Sequence, residues 1–301
     1  MKQSIFFLFL LVFIVACSSD KAGSEGSNAA IEALEKEVEA EPNAENSKAL
    51  LDKYSEFVAA NPESHDVNSR YLYRAASLQY RMNRFSGAIN LLKRALKDHY
   101  TGDNTANNVL LLGSIFKEKL NNEEGASTTY QCFIEAFPNN EKTASVKADY
   151  GNLPDFETRL LSLGNKLMND STHRIDYRVA NDFVNVCELH ALILPNDGKA
   201  GDYLHKAGET ARSIRSFDKA LNFYDWICTK YPEHPKASQA LFLQAFTYDN
   251  DKKDIEKART LYTAFLEKYP NDDFADDTKF LLDNLGKDDE EIIQSFGKEA
   301  Q

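Results

Sequence analysis

Four short stretches of the chain share one pattern: a tyrosine, a bulky apolar residue three positions later, and a proline five positions after that. They are YSEFVAANP, YQCFIEAFP, YDWICTKYP and YTAFLEKYP, which begin at Tyr54, Tyr130, Tyr224 and Tyr262. An alanine or leucine precedes each tyrosine by four positions, and steps of four and three place these side chains on one face of an α-helix. Proline cannot donate a hydrogen bond inside a helix, so each stretch predicts an amphipathic helix that ends at a proline turn.

A second helix is expected before the later stretches, because a small residue recurs 12 or 13 positions upstream of a matching alanine. The pairs are Ala76 with Ala88, Gly113 with Ala126, Gly208 with Ala220, and Ala245 with Ala258. Small residues at matching places on two antiparallel helices let the backbones approach closely. The matching alanines are 38 residues apart in two cases, and a fixed period of this size is typical of stacked helix pairs.

The pattern resembles the tetratricopeptide repeat (TPR) family, in which a small residue in helix A precedes an alanine that opens helix B. One copy meets the family spacing without insertions, through Gly208, Ala211, Ala220, Tyr224, Ile227 and Pro232. Two copies carry one extra residue between their helices, and the copy at Ala76 and Ala88 has Tyr100 in place of the proline. The resemblance implies an all-α fold: a right-handed α-solenoid of tetratricopeptide helix-turn-helix repeats.

The solenoid is expected to occupy residues 29–301 as about six helix pairs. A degenerate pair is expected near residues 155–195, with an overlong connection between its two helices. At the C-terminus, Asp288 and Glu291 have the spacing of a capping box. We therefore expect a C-terminal capping helix there that covers the last open face of the array.

Residues 1–16 are predicted to be a signal peptide. Lys2 precedes an uncharged apolar run from Ile5 to Ala16, which is too short to span a bilayer as a mature helix. The run ends in IVAC, which resembles the bacterial lipobox and implies that Cys17 is lipidated and becomes the first mature residue. The alternative is an ordinary secretory signal in which Cys17 is incidental.

Residues 17–28 are rich in serine and glycine, which predicts a flexible tether after the lipidated cysteine. In some bacteria an aspartate after the lipidated cysteine favours retention in the inner membrane. Ser18 stands at that place, so we expect an outer-membrane lipoprotein that faces the periplasm, with exposure at the cell surface left open.

The rest of the sequence favours a binding protein over an enzyme. A net charge of −12 argues against nucleic-acid binding, which needs a basic surface. The six histidines are scattered, and the sequence has no nucleophile-elbow, Walker or dinucleotide-binding motif, so we expect no catalytic site, no metal and no cofactor. His190 and the cysteines at 132, 187 and 228 lie in apolar helical stretches, where we expect them in the core.

TPR solenoids bind peptides or partner segments along the concave face formed by their A helices, and counting from the small helix-A residue predicts which side chains lie there. These residues, the predicted groove, are Arg70, Tyr73, Tyr80, Arg81, Lys117, Asp202, His205, Arg212, Phe242 and Phe246. The alternative is that they are ordinary surface residues and that the two phenylalanines pack on their neighbours.

Two B helices end in Tyr-Pro, and an alanine then opens the next helix pair. This pattern looks most like that of envelope repeat lipoproteins. Those include BamD-like outer-membrane assembly factors and Tol–Pal-associated coordinator proteins. The resemblance implies a membrane-anchored, non-catalytic scaffold that binds envelope proteins. A lipoprotein that captures glycans or peptides for uptake is the alternative.

Overall fold

The computed structural model describes residues 19–168 and 174–287, in which α-helices are the dominant structure. The helices are α1 Ser19–Ala40, α2 Ala44–Ala60, α3 His65–Arg81, α4 Phe85–Asp98, α5 Thr105–Ser114, α6 Glu123–Ala136, α7 Thr143–Tyr150, α8 Phe156–Asn165, α9 Tyr177–Ile193, α10 Ala200–Ser213, α11 Phe217–Lys230, α12 Ala237–Phe246, α13 Ile255–Lys268 and α14 Ala275–Asp283. In these two ranges the only β-structure is an isolated bridge between Met168 and Ile175. The predicted all-α class is confirmed. Cys17, the signal peptide and the C-terminal capping box lie outside the described residues.

The chain forms two compact units, the first ending at Thr105 and the second beginning at Ala106. In the first unit, α1 to α4 pack each against the next. In the second unit, α9 to α14 do the same, and α9 also packs against α6 and α8. Neighbouring helices in sequence are thus neighbours in space, which is the packing of a helical solenoid.

The B helices end in one shared backbone conformation, which the proline pattern predicts. The residues before Pro62, Pro138, Pro195, Pro232 and Pro270 have φ from −130° to −119° and ψ from 52° to 60°. Each of them donates its N–H to the carbonyl four residues earlier, at 2.7–3.0 Å. Steric conflict with the proline ring moves the preceding residue out of the α region, so the helix ends at the predicted place.

The extra residue in two copies is absorbed as a π-helical turn at the end of helix A. These turns are Ile115–Lys119 after α5 and Thr247–Lys252 after α12. The turn between helix A and helix B keeps one shape in the four copies that have the matching small residues, because a residue in the left-handed conformation occurs at the same place in each. These residues are Asn83, Asn121, Arg215 and Lys253. A π-turn adds one residue to the helix without changing the A–B connection.

The small residues lie where the paired helices approach most closely, as the spacing predicts. A Cβ atom at Gly113 would lie 2.7 Å from the ring of Tyr130, and one at Gly208 would lie 2.4 Å from the ring of Tyr224. Ala258 is completely buried. Cys132 and Cys187 are buried and Cys228 is partly buried, and all three are free thiols. Burial raises the pKa of the Cys228 thiol to about 11.

Two details differ from the sequence-based expectations. Helix α1 begins at Ser19, so most of the predicted tether is helical. Glycine and serine lower helix propensity without forbidding a helix, and the run contains no proline. The second difference is α7, a short extra helix that ends at Tyr150, before the sequence GNLP. The degenerate region around residues 155–195 contains α8 and α9.

Candidate partner-binding site

Two residues of the predicted groove, Tyr73 and Arg81, border a cavity of about 350 Å³ between α1, α2 and α3 in the first unit. We call it the α1–α3 cavity. Its lining residues are Glu35, Val38, Glu39, Leu50, Tyr54, Tyr73, Arg74, Ser77, Leu78 and Arg81. Tyr73 is half-buried, and Arg81 at the end of α3 is exposed. Spacing along one helix places both side chains on the same side of α3, eight residues apart.

The α1–α3 cavity has a fixed charged cluster centred on Glu35. Its carboxylate accepts hydrogen bonds from the Tyr54 hydroxyl and from Arg74 Nη1, the latter at 2.8 Å. Burial, and then the bond to Glu35, raises the pKa of Tyr54 above its ordinary value, so this tyrosine stays a hydrogen-bond donor. The Arg74 guanidinium also lies 5.9 Å from the centre of the Tyr71 ring. These contacts join α1, α2 and α3 along one wall of the cavity.

The other two predicted residues of α3 lie elsewhere. Arg70 Nε is 3.8 Å from the Asp103 carboxylate and 3.4 Å from the Asp66 carbonyl. Tyr80 packs edge-on against Phe85, with 5.8 Å between ring centres. The structure therefore brings two of the four predicted α3 residues into the α1–α3 cavity.

In the second unit, the predicted groove residues are held by local partners. Lys117 is exposed, 5.2 Å from the centre of the Tyr150 ring, and a hydrogen bond to Tyr150 raises the pKa of Lys117. Asp202 Oδ2 lies 3.9 Å from Nε2 of His234. Arg212 Nε is 2.6 Å from the Asp251 carboxylate.

Arg212 borders a second cavity, of about 390 Å³, which we call the α10–α12 cavity. The guanidinium lies 4.7 Å from the centre of the Phe246 ring, so Arg212 combines an ion pair with a cation–π contact. The cavity is lined by Glu209, Arg212, Ser213, Arg215, Phe217, Tyr224, Leu243 and Asp251. Its four charged residues balance, so it has no strong preference for an anion or a cation.

His205 and Phe242 are core residues and not part of an exposed face. His205 is 3% exposed, with Nδ1 3.1 Å from the Glu209 carboxylate. Phe242 is 9% exposed and stacks on Phe246 and Phe274. The count from the small helix-A residue identifies their helix face, but other rings cover it at these two positions. Tyr224 of α11 lies 6.3 Å from His205 between ring centres, and Phe274, the N-cap residue of α14, stacks on Phe242. For Phe242 this is the packing alternative that the sequence left open, and half-buried Phe246 also packs against the same core cluster.

Sequence reasoning missed Glu35 and Arg74, the charged pair of the α1–α3 cavity. Arg74 interrupts the otherwise apolar and aromatic stretch YLYRAASL. A charged residue among residues expected to be buried is a signal for a paired partner. Nothing in the sequence identifies that partner as Glu35, because it lies 39 residues away.

The part of the chain that the structure describes has neither a cluster of metal ligands nor a membrane-spanning helix. In residues 19–168 and 174–287, His, Cys, Asp and Glu side chains do not gather in groups of three or more as metal ligands. None of the helices in that part of the chain is both long enough and apolar enough to cross a membrane.

A model of the tetratricopeptide repeat family matches residues 239–272. The match covers α12, its π-turn and α13, which form one of the copies with an extra residue. Together with the repeated helix pairs, it supports a TPR protein. None of the curated proteins compared with the chain matches it.

Proposed function

We propose that this protein is an outer-membrane lipoprotein whose helical repeats bind segments of other envelope proteins. TPR repeats are protein-interaction modules and are typically non-catalytic, which supports a scaffold. The observation that carries the proposal is the α1–α3 cavity, in which the sequence-predicted Tyr73 and Arg81 lie together.

The chemistry of the α1–α3 cavity suits a protein segment. The buried side chains of Val38, Leu50 and Leu78 form the apolar floor of the cavity, and Tyr73 and Arg81 supply the two residue types in which binding energy often concentrates. At about 350 Å³, the cavity is at the small end of ligand sites and fits one or two side chains of a longer segment. Because Glu35 and Arg74 already pair with each other, a partner does not have to supply a charge to neutralise them.

The anchor is the second part of the proposal. The lipobox implies acyl chains on Cys17, and α1 begins two residues later, at Ser19. Helix α1 also forms one wall of the α1–α3 cavity, through Glu35, Val38 and Glu39. The cavity is therefore built partly from the helix that directly follows the proposed anchor.

A paired substitution tests the partner-binding part. A partner is first identified by crosslinking and pull-down from intact membranes, and its affinity is then measured for Tyr73→Ala with Arg81→Ala. We expect a loss of about 2 kcal/mol or more, because both changes remove anchor side chains. The matched control is Tyr177→Ala with Arg84→Ala, which removes the same two residue types at exposed positions outside the cavity.

The control pair is expected to change the affinity little, and circular dichroism of both double variants is expected to match the parent. Equal losses in the two variants, or a loss only in the control, would show that the partner binds another face of the protein.

A further inference from the structure

A cavity of about 340 Å³ lies between α8 and α10 in the second unit, and neither the groove prediction nor the proposed function uses it. We call it the α8–α10 cavity. It is lined by Glu157, Leu160, Leu161, Gly164, Phe183, Tyr203 and Lys206. Along α8 it extends from Glu157 to Gly164, which is about two helical turns, or about 10 Å.

The N-terminal end of α8 is held against α10, so this end of the cavity has a defined boundary. The Phe156 ring packs edge-on against the Tyr203 ring, with 4.9 Å between ring centres. The Glu157 carboxylate accepts hydrogen bonds from Lys199 and from the Tyr203 hydroxyl, the latter at 3.1 Å. The bonds to Lys199 and then to Tyr203 lower the pKa of Glu157, so it is ionised at neutral pH. Because Lys199 already compensates this charge, a ligand does not have to supply a cation.

Beyond this end, the walls of the α8–α10 cavity are apolar. Leu160, Phe183 and Tyr203 are buried, whereas Leu161 is 67% exposed, the highest value for a large apolar side chain among the described residues. Gly164 leaves space beside these walls. A Cβ atom added there would meet one atom within 4 Å, Phe183 Cε2 at 3.6 Å, which is ordinary contact. A large exposed apolar side chain beside open space indicates an interaction site for another apolar group.

The α10 side of the cavity contributes a cation that lacks a carboxylate partner. Lys206 is exposed, and its ammonium forms no ion pair with the part of the chain that the structure describes. It lies 5.9 Å from the centre of the Tyr203 ring. An unpaired cation at the edge of an apolar cavity is complementary to a ligand that carries a carboxylate next to an apolar group.

We infer that the α8–α10 cavity binds a partner segment in which a leucine-sized apolar side chain lies next to an aspartate or glutamate. The apolar side chain occupies the space beside Gly164 and Leu161, and the carboxylate pairs with Lys206 Nζ. This inference deepens the proposed protein-binding function and rests on it, and it assigns a second contact point, chemically different from Tyr73 and Arg81. A fatty acid has the same two groups, but an extended long acyl chain exceeds the two-turn length of the cavity.

The test is a ligand-observed NMR titration of the full-length mature protein with three blocked tetrapeptides. The first is Gly-Leu-Asp-Gly, the second is Gly-Leu-Asn-Gly, which lacks the charge, and the third is Gly-Ala-Asp-Gly, which lacks the large apolar side chain. We expect the parent to bind the first about threefold more tightly than the second, because an exposed ion pair contributes little. We expect a preference of about tenfold over the third, because burial of the leucine carbons contributes more.

A variant of Lys206 tests the charge contact. Lys206→Met removes the ammonium and keeps an unbranched apolar side chain, so the preference for the Asp peptide over the Asn peptide is expected to fall to about one. The matched control is Lys219→Met, which removes an exposed lysine of α11 outside the cavity lining. It is expected to keep the threefold preference of the parent.

Two leucine substitutions in α8 test the location. Gly164→Leu fills the space that the leucine of the peptide would occupy, and it is expected to weaken binding of Gly-Leu-Asp-Gly by about tenfold or more. Ser162→Leu adds the same side chain at an exposed position outside the lining and is expected to leave binding unchanged. Circular dichroism of both variants should match the parent. If Gly164→Leu does not fold, Lys206→Met decides alone, because its side chain is exposed and its loss does not disturb the core.

Three results would overturn the inference: no preference of the parent for the Asp peptide over the Asn peptide, a preference that persists in Lys206→Met, or equal binding by the two leucine variants. Tighter binding of octanoate than of Gly-Leu-Asp-Gly would assign the cavity to a fatty acid and would also overturn it.

The double variant Tyr73→Ala with Arg81→Ala separates this inference from the proposed function. We expect it to bind Gly-Leu-Asp-Gly as the parent does. A loss of peptide binding in this variant would locate the peptide at the α1–α3 cavity, which would overturn the inference and support the proposed function. Failure at the α8–α10 cavity has no bearing on partner capture through Tyr73 and Arg81.

Discussion

Gly208 lies in α10 directly against the ring of Tyr224 in α11, so Gly208→Ala adds a methyl group where there is no space. The new Cβ would lie 2.4 Å from Tyr224 Cε1 and 3.0 Å from Cδ1 and Cζ. Ordinary van der Waals contact begins at about 3.4 Å, so the ring would have to retreat by about 1 Å.

The expected loss of stability follows from the burial of Tyr224. Tyr224 is fully buried, so a retreat of its ring displaces packed neighbours on every side except the one that borders the α10–α12 cavity. Overpacking of this kind costs about 1–3 kcal/mol, and here we expect the upper part of that range. Alanine favours a helix over glycine by about 1 kcal/mol, which offsets part of the cost. The net prediction is a loss of about 1–2 kcal/mol in the free energy of unfolding.

Urea unfolding followed by circular dichroism measures this loss. Gly198→Ala is the control, because no atom lies within 4 Å of a Cβ added there, and we expect a change within about 0.5 kcal/mol. In a Tyr224→Leu background, the cost of Gly208→Ala should shrink, because the ring that it meets is absent. Equal stability of Gly208→Ala and Gly198→Ala would contradict the close approach of α10 and α11. So would a destabilisation by Gly208→Ala that stays the same in the Tyr224→Leu background.

Three further predictions concern the buried histidine, the arginine network and the anchor. Burial lowers the pKa of His190 from 6.5 to about 4, so between these pH values the unfolded chain binds a proton at this residue and the folded chain does not. The free energy of unfolding should therefore fall by up to about 3 kcal/mol as the pH drops from 6.5 to 4. Urea unfolding at a series of pH values should show a shallower fall in His190→Gln. Arg159→Ala removes bonds to Glu124, Thr128 and Gln131, and urea unfolding should show a loss of about 2–3 kcal/mol, against a small change for exposed Arg84→Ala. Cys17→Ala should leave a soluble or uncleaved product in membrane fractionation, whereas processing and membrane attachment like those of the parent would contradict lipidation.

The helix boundaries were predictable because their causes are local. Proline restricts the residue before it, wherever the helix lies in the fold, so the Tyr-to-Pro pattern located the ends of α2, α6, α11 and α13. The start of α1 was not predictable in this way, because a run of Ser and Gly is only weakly biased against a helix. The extra helix α7 was missed because the break after Tyr150 has no counterpart in the regular copies.

The same difference between local and long-range causes applies to the residues of the candidate sites. Helix periodicity was sufficient to place Tyr73 and Arg81 on one face of α3. It gave no information on what packs over that face, so it also selected Phe242, which Phe274 covers from α14's N-terminal cap. The pairing of Glu35 with Arg74, and the hydrogen bond between Glu157 and Tyr203, depend on contacts between distant parts of the sequence.

Site-specific photocrosslinking in intact cells tests the central proposal, partner binding at the α1–α3 cavity, most directly. A photoreactive phenylalanine analogue replaces Tyr73, which lines the cavity, or Tyr177, which is 61% exposed at the start of α9. We predict a discrete crosslinked partner from position 73 that disappears when Arg81→Ala is added, and no such product from position 177. The same product from both positions, or one from position 177 alone, would contradict binding at this cavity.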